Sequence, residues 1–559
     1  MNFVAMTPDK TKELNRIAES YRKPYTEFID GLSEIYGDSE FWWDTSLASR
    51  NTFLCECFLN VCTLRLVLDG VSRNAPEEIV VANEALRQAV LDNVKGIAVH
   101  VGNRPKGIKA FLKQSHRIRS EYAFYQFRKH IQASQRYRRN ESLADFQGRE
   151  IILIGTYRVP AETRNGTFQD RYFPGLTENS DKDIVFLSMF SGVQDTEKTL
   201  FDVIHDRNDH ICIEDWVTEQ DLREVRSYTR WCRSIKIRSC YFDGMDVTAL
   251  VENALQTGGW DNNAMLGIAR GNVLCRIVEQ WGLKIKCLID WYEGQPSSNA
   301  MIRRFRAKFP DVPTVACSPF PYEENLLSLY PSKLQMKKKI VPEYFSVMGR
   351  AWKKQVRQFS ADVKCVVGPS LRHNGIWETA AKESSERKGV LLVLPIFEDC
   401  SAQLLTAFGE TIQGLDILTI GPIYIKNHPV NQGHRISDYG VSESLFSGGD
   451  ITYLSGDIHE ALRGRKMVVL AKTTSTLEVM LSGAYTINFI PAGELSAVSL
   501  PKEARSKITV AYTAEDLRGC FQLPKAGLST AETERFRDDL FTRVDRETVA
   551  DFLALQPVS

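Results

Sequence analysis

Short apolar runs alternate with stretches of helical periodicity along most of this chain, and the alternation comes in two series. The first series has strand-like runs at 78–81, 96–101, 150–154, 184–187, 286–290, 314–317 and 363–367. The second has them at 389–395, 423–426, 451–454, 467–470 and 485–490, separated by helical patterns at 402–412, 458–463 and 476–482. Apolar runs joined by helices are the pattern of βαβ units and of a parallel sheet covered on both faces. A chain of 559 residues also exceeds what one hydrophobic core can serve. The expected architecture is therefore α/β, with two Rossmann-like halves, 1–380 and 381–559, joined around 370–388. A helix over 8–36, with Leu14, Ile17, Tyr21, Tyr25, Phe28, Ile29 and Leu32 on one face, predicts an N-terminal helical extension. Sheets of this kind take ligands at the carboxyl ends of their strands, so the cleft between the halves is the expected site.

Composition excludes several alternatives. Hydrophobic residues at 43% and charged residues at 25% are those of a globular protein, and a net charge of zero argues against a nucleic-acid partner. The twelve cysteines include no CxxC pair, so neither a paired-cysteine metal site nor a disulfide framework is expected. Met1 to Arg16 mixes acids and bases and does not read as a signal peptide. No apolar run approaches the roughly 20 residues that span a bilayer. A cytoplasmic location is the expectation. Between residues 104 and 139 eleven Lys/Arg stand against one acid, Glu121, with Tyr122, Phe124, Tyr125 and Phe127 interleaved. That stretch predicts a basic helix, which either lies on an anionic membrane surface or balances acidic surface elsewhere.

Two segments of the second half carry the strongest chemical signal. The strand-like run 423–426 ends in Lys426, Asn427, His428 and Pro429, so Lys426 and His428 stand where they can hold a phosphate. The run 467–470 leads into Thr473, Thr474, Ser475 and Thr476 at the start of a helix, where exposed N–H groups favour an anion. In this order and strand context, the pair resembles the HisPro and Ser/Thr motifs of bacterial GT-B sialyltransferases, polysialyltransferases and Kdo transferases. The resemblance covers the last 170 residues and implies a CMP-sugar donor held by His428, Pro429, Thr473, Thr474, Ser475 and Thr476, with Lys426 beside them. It also implies no bound metal for donor activation and no separate cofactor. Trp42, Trp43, Ser49, Arg50 and Asn51, together with 289–295, resemble proteins of surface-carbohydrate biosynthesis, which implies O-antigen, capsule or related glycan synthesis.

In the first half, Asp290-Trp291-Tyr292-Glu293-Gly294-Gln295 follows an apolar run and delivers two carboxylates to a strand end. Glycosyl transfer needs a carboxylate to deprotonate the acceptor hydroxyl or to attack the anomeric carbon. Glu293 is the first candidate and Asp290 the second; the alternative is an acidic loop paired with Arg303 and Arg304. Ser49, Arg50, Asn51 and Gln295 are candidates for holding a glycan or lipid-linked acceptor. Asp243-Gly244 has the look of a sialyltransferase base motif but lacks its first acid, and reads as a turn. The functional expectation is a glycosyltransferase that moves an acidic sugar, Kdo before sialic or nonulosonic acids, from a CMP-sugar to a surface glycan. Its rivals are a UDP-sugar transferase or epimerase on the same fold, and a non-catalytic glycan-binding protein.

Overall fold

The computed structural model describes residues 1–74, 76–102, 115–137, 146–159, 162–164, 167–190, 198–207, 209–377, 387–413, 415, 420–447, 450–523 and 526–555. Two large parallel sheets organise them. The first contains β1 (Glu150–Arg158), β2 (Ile184–Phe190), β3 (His210–Cys212), β4 (Lys284–Trp291), β5 (Thr314–Ser318), β6 (Tyr344–Val347) and β7 (Lys364–Val367). Its order is β7-β6-β5-β4-β1-β2-β3, and every neighbouring pair is parallel. The second contains β8 (Lys388–Val393), β9 (Ile423–Lys426), β10 (Ile451–Leu454), β11 (Arg465–Leu470), β12 (Tyr485–Phe489) and β13 (Thr509–Ala511). Its order is β10-β9-β8-β11-β12-β13, again wholly parallel.

Each sheet thus runs outward from its first strand, then returns to the other side of that strand. That is the doubly wound order of a Rossmann fold, and the point of reversal is where ligands bind. The reversal falls between β1 and β4 in the first sheet and between β8 and β11 in the second. The expected GT-B arrangement, two Rossmann-like units with a helical N-terminal region, is the one observed. The sequence shows why: β1, Glu-Ile-Ile-Leu-Ile-Gly-Thr-Tyr-Arg, is buried at every position after the first, as strands covered on both faces must be.

Two features depart from a plain two-unit reading. Residues 78–101 do not extend the first sheet. Glu78–Val81 and Ala98–Val101 pair only with one another and with Asn2, in a small layer beside the helices Pro8–Tyr36, Cys57–Asn74 and Thr248–Gly258. They share a separate core in which Trp42, Phe58, Val61 and Val67 are fully buried. Secondly, the helices Thr530–Leu540 and Arg546–Leu553 follow the second sheet in sequence but pack on the first. Phe536, Leu540, Val549 and Phe552 join Ile289, Val315, Phe345 and Trp352 in one apolar cluster. The indole Nε1 of Trp352 donates to Leu540 O at 3.0 Å, and Ala351 N donates to Asp539 O at 3.0 Å. Leu477, Met480 and Leu500 of the second half enter the same cluster, so apolar packing is continuous between the halves.

The basic helix is observed over His116–Tyr137; residues 103–114 and 138–145 of the expected segment lie outside the described residues. Phe127, Ile131 and Ala133 are buried against the first unit, while Ile118, Tyr122 and Tyr125 are exposed. No helix among the described residues is long and apolar enough to cross a membrane.

Trp352 has no exposed surface, and its ring holds the returning helices by both packing and a hydrogen bond. Trp352→Ala is expected to cost about 3–5 kcal/mol of stability, read as a lower urea midpoint for the unfolding of the first unit.

Candidate functional site

The last five residues of β4 are all buried and Glu293 follows two residues beyond its end, which separates the two candidate carboxylates. Asp290 points inward. Its Oδ1 accepts from Arg270 Nη2 at 2.9 Å, neither side chain touches solvent, and the two meet directly over Gly155. A Cβ at Gly155 would lie 2.2 Å from Asp290 Oδ1, so this position must be glycine for the pair to form. Burial raises the pKa of Asp290, and Arg270 opposes that rise. Asp290 is therefore a structural carboxylate rather than the second catalytic candidate the sequence suggested: no acceptor hydroxyl can reach it.

Glu293 lies beyond the strand and is only partly buried. Trp291 Nε1 donates to its Oε1 at 2.9 Å and Gln295 Nε2 to its Oε2 at 2.6 Å. Gln295 is tied in turn to Tyr157, whose hydroxyl donates to Gln295 Oε1 at 3.2 Å from the end of β1. Gly294, with φ +64°, makes the turn: a Cβ there would stand 2.3 Å from Ser328 O. The carboxylate is thus fixed at the reversal point of the first sheet. The expected pairing of this loop with Arg303 and Arg304 is not found, because both arginines bond Asp44.

Three of the four residues expected to hold the acceptor lie elsewhere; only Gln295 is beside Glu293. Ser49, Arg50 and Asn51 are each 2% exposed. Ser49 Oγ donates to Ser46 O, and Asn51 Oδ1 accepts from Phe53 N and Leu54 N. Arg50 Nη2 donates to Tyr330 O and to the side chain of Gln335. These groups shape an internal turn among the buried tryptophans and are not available to a glycan.

On the opposite wall, Lys426 closes β9 and His428 caps a short 3-10 turn that Pro429 opens. Val430 N donates to His428 Nδ1 at 3.2 Å, which leaves Nε2 as the protonated nitrogen of the neutral ring. Burial lowers the pKa of His428, and Arg171, Lys426 and Arg372 push it further down. Burial likewise lowers that of Lys426, against the attraction of Asp457. After β11, Lys472 takes φ +41°, and Thr473, Thr474, Ser475 and Thr476 follow. Thr473 Oγ1 accepts from Ser475 N at 3.2 Å, and Thr476 Oγ1 donates to Thr473 O at 3.1 Å. The Thr474 side chain is exposed, and no side chain caps the helix that begins at Thr476.

Arg171 and Arg372 were not singled out by the sequence, since each is an isolated arginine in a loop. Arg372 comes from the turn after β7 and lies over the Trp291 ring, 5.6 Å from its centroid, while Tyr172 meets the same ring edge-on at 4.8 Å. Arg372 is solvent-accessible yet crowded: burial and then Arg171 lower its pKa, while Glu478 and Glu293 oppose that. Arg372 therefore sits between Glu293 on one wall and His428 on the other. Among the described residues, none of Arg171, Arg372, Lys426 and His428 has a carboxylate within ion-pair distance. Four cationic or proton-donating groups drawn from both halves thus lie close enough to depress one another's protonation at His428 and Arg372, with no carboxylate partner among the described residues.

A surface depression of about 490 Å³ lies in a different place. It lies between Arg65, Asn93 and Asp243, far along the chain from either strand end. Asp243 (φ +49°) and Gly244 (φ +76°) form a hairpin turn there, and Asp243 bonds Tyr21 and Arg65.

A second charged group at the cleft is Glu323, in the loop after β5. Burial lifts its pKa from 4.5 to about 7, with Lys472 pulling down and Glu494 pushing up. Lys472 Nζ pairs with Glu494 Oε2 at 2.5 Å and lies 4.5 Å from the Phe397 ring centroid. Because the folded pKa exceeds the unfolded one, Glu323 holds its proton in the folded state through the window 4.5 to 7. Its contribution is most favourable at the acidic end and is lost as pH rises through 7. Glu323→Gln is thus expected to match the parent in thermal midpoint at pH 4.5 and to exceed it at pH 8; equal midpoints at both would exclude a buried, proton-retaining Glu323.

No protein-family model and no curated protein matches the chain. Solved structures similar to it include UDP-GlcNAc 2-epimerase from Methanocaldococcus jannaschii (12% identity, 73% of this chain and 99% of that one, TM-score 0.41). Others are the N-terminal domain of Candida albicans trehalose-6-phosphate phosphatase (11%, 75% and 98%, 0.39) and MurG from Acinetobacter baumannii (10%, 72% and 95%, 0.35). At these values the assignment of the fold rests on the strand order itself.

Proposed function

We propose that this chain is a nucleotide-sugar-dependent glycosyltransferase that moves an acidic sugar from a CMP-activated donor to a surface polysaccharide or lipid-linked glycan. The supporting observation is the unpaired cationic cleft, which draws groups from both halves. A CMP-linked acidic sugar carries two anions, a phosphate and a carboxylate. His428 Nε2–H and Lys426, on the second half with Thr473–Thr476, suit the phosphate, and they stabilise the charge that develops as the nucleotide leaves. Arg171 and Arg372 suit the sugar carboxylate, which a guanidinium can hold with two parallel hydrogen bonds. Glu293, oriented by Trp291 and Gln295, takes the proton of the acceptor hydroxyl as that oxygen attacks the anomeric carbon. Tyr172, partly exposed, stands beside it, edge-on to the buried Trp291 ring. Kdo is the preferred donor sugar, ahead of sialic and nonulosonic acids. No metal or further cofactor enters this reading.

One observation favours a second reading. The same four groups also suit a diphosphate, as in a UDP-sugar transferase or epimerase. Thermal unfolding with millimolar CMP, UDP, GDP or ADP separates the two. Ligand at about 100 times its dissociation constant adds roughly 2.7 kcal/mol to stability. The expected outcome is a midpoint raised by CMP alone and lost in His428→Ala. Arg372→Ala is expected to keep the response to CMP and to weaken that to CMP-Kdo. A response to UDP alone would move the function to the second reading, and no response to any nucleotide would leave a glycan-binding protein.

The reading includes a cytoplasmic protein at the inner face of the membrane, supported by the helix His116–Tyr137, where Tyr122 (63%) and Tyr125 (60%) stand exposed beside Arg117 and Arg128. The protein is expected to float with anionic vesicles and not with zwitterionic ones, and Tyr122→Ser with Tyr125→Ser to reduce that binding.

A further inference from the structure

At the far edge of the first sheet, remote from the cleft residues in the strand order, three side chains of different chemistry converge. His205 ends the helix Lys198–His205, Cys212 ends β3, and Asp215 lies in the 3-10 turn Ile213–Trp216. All three are buried, and one ligand atom of each lies within 4.8 Å of the other two. Their spacing, six residues and then two, matches no paired-cysteine or helical His-His pattern, which is why the sequence does not disclose them.

The hydrogen bonds around the cluster orient it. His205 Nδ1 stands 2.6 Å from Phe201 O, which accepts only from a protonated nitrogen, so in the neutral ring Nε2 carries the lone pair. That Nε2 lies 2.8 Å from Asp215 Oδ2. A lone pair facing a carboxylate oxygen at this distance is repulsive unless a cation lies between them, either a proton or a metal ion. The other carboxylate oxygen, Oδ1, accepts from Ser134 Oγ at 2.9 Å. A ring N–H tied to a backbone carbonyl and a ligand carboxylate tied to a hydroxyl are the usual outer contacts of metal ligands.

A second buried acid stands beside the cluster. Glu214, next in sequence to Asp215, is fully buried; its Oε1 accepts from Phe190 N and faces His130 Nε2 at 3.3 Å, and its Oε2 has no partner. Two buried carboxylates and a thiol thus lie close to two imidazoles at this edge of the sheet. His130 and Ser134 stand one turn apart on the basic helix, so that helix braces both acids.

We propose that His205 Nε2, Cys212 Sγ and Asp215 Oδ2 bind one zinc ion, which ties the helix Lys198–His205 and the 3-10 turn to the edge of the sheet. A nitrogen, a sulfur and an oxygen donor suit this borderline ion, with Zn–N about 2.0–2.1 Å and Zn–S about 2.3 Å. Binding releases the Cys212 thiol proton to water, and a tetrahedral ion keeps its fourth position for a water molecule. The site is independent of the nucleotide-sugar reading.

The test uses the full chain, freed of metal by chelation and then incubated with excess zinc. The expected result is one equivalent of zinc retained through gel filtration, with a higher thermal midpoint than the chelated protein. Cobalt in place of zinc should give a thiolate-to-metal charge-transfer band that Cys212→Ser abolishes and Cys275→Ser leaves intact. Should Cys212→Ser fail to fold, Ser134→Ala serves instead, since loss of its hydroxyl should weaken zinc binding about 10–100-fold. Retention of no metal after incubation, or a cobalt spectrum without the charge-transfer band in the parent protein, would overturn the site and leave His205–Asp215 as a protonated ion pair.

Discussion

The return of the chain from the second sheet to the first is the constraint on which the cleft depends. Two doubly wound units joined by a single strand of chain are free to drift apart. Here Phe536, Leu540 and Phe552 are seated in the core of the first unit, and Trp352 and Ser370 bond the intervening backbone, Ser370 N donating to Thr542 O. His373 and Glu478 also meet in the buried junction, with Nδ1 3.0 Å from Oε1. Only with the units held in this way do Arg372 and Arg171 face His428 and Lys426. An anion site assembled from two units is a property of their relative placement, and apolar packing sets that placement at a cost the cations themselves could not meet.

Burial opposes charge on His428, Lys426 and Arg372 and lowers their pKa values, and at His428 and Arg372 the neighbouring cations lower them further. A bound anion opposes both effects. The strain is therefore of the kind expected at a binding site, where local rules of charge pairing are broken and the rest of the fold compensates. The buried Asp290–Arg270 pair over Gly155 is a different case: the opposite charges meet at 2.9 Å away from solvent, although Asp290 Oδ2 and Arg270 Nε are left without a hydrogen-bond partner.

Much of this was legible in the sequence. The two strand series, the second-half strand ends at Lys426 and Leu470, and the loop after Trp291 all follow from apolar runs ending in polar residues. What escaped did so for definite reasons. Where the strand ends decides which carboxylate is accessible: Asp290 is still inside a stretch buried on both faces, and Glu293 comes two residues after the strand. Ser49, Arg50 and Asn51 look like a polar loop but are folded under by Trp42, Trp43 and Tyr330, contacts nearly three hundred residues apart in the last case. The run 78–81 has the composition of a sheet strand, yet its partner is 98–101, because only that neighbour lies within reach of its short edge. Arg171 and Arg372 carry no local pattern at all, since they become a pair only through the tertiary fold.

The first helix, Pro8–Tyr36, links distant parts of the molecule. Near its start Thr11 Oγ1 accepts from Gly493 N at 3.0 Å, and Asn15 bonds both Glu494 O and Ser496 N, all in the loop after β12. Further along, Arg22 pairs with Glu324 at 2.7 Å, beside Glu323 in the first unit. The helix thus bonds both units, a second tie between them besides the returning C-terminal helices. With two ties, hinge opening requires a group of hydrogen bonds to break together, so the cleft moves between discrete states instead of breathing continuously. Such a site meets its ligand already shaped, with little ordering left to do on binding.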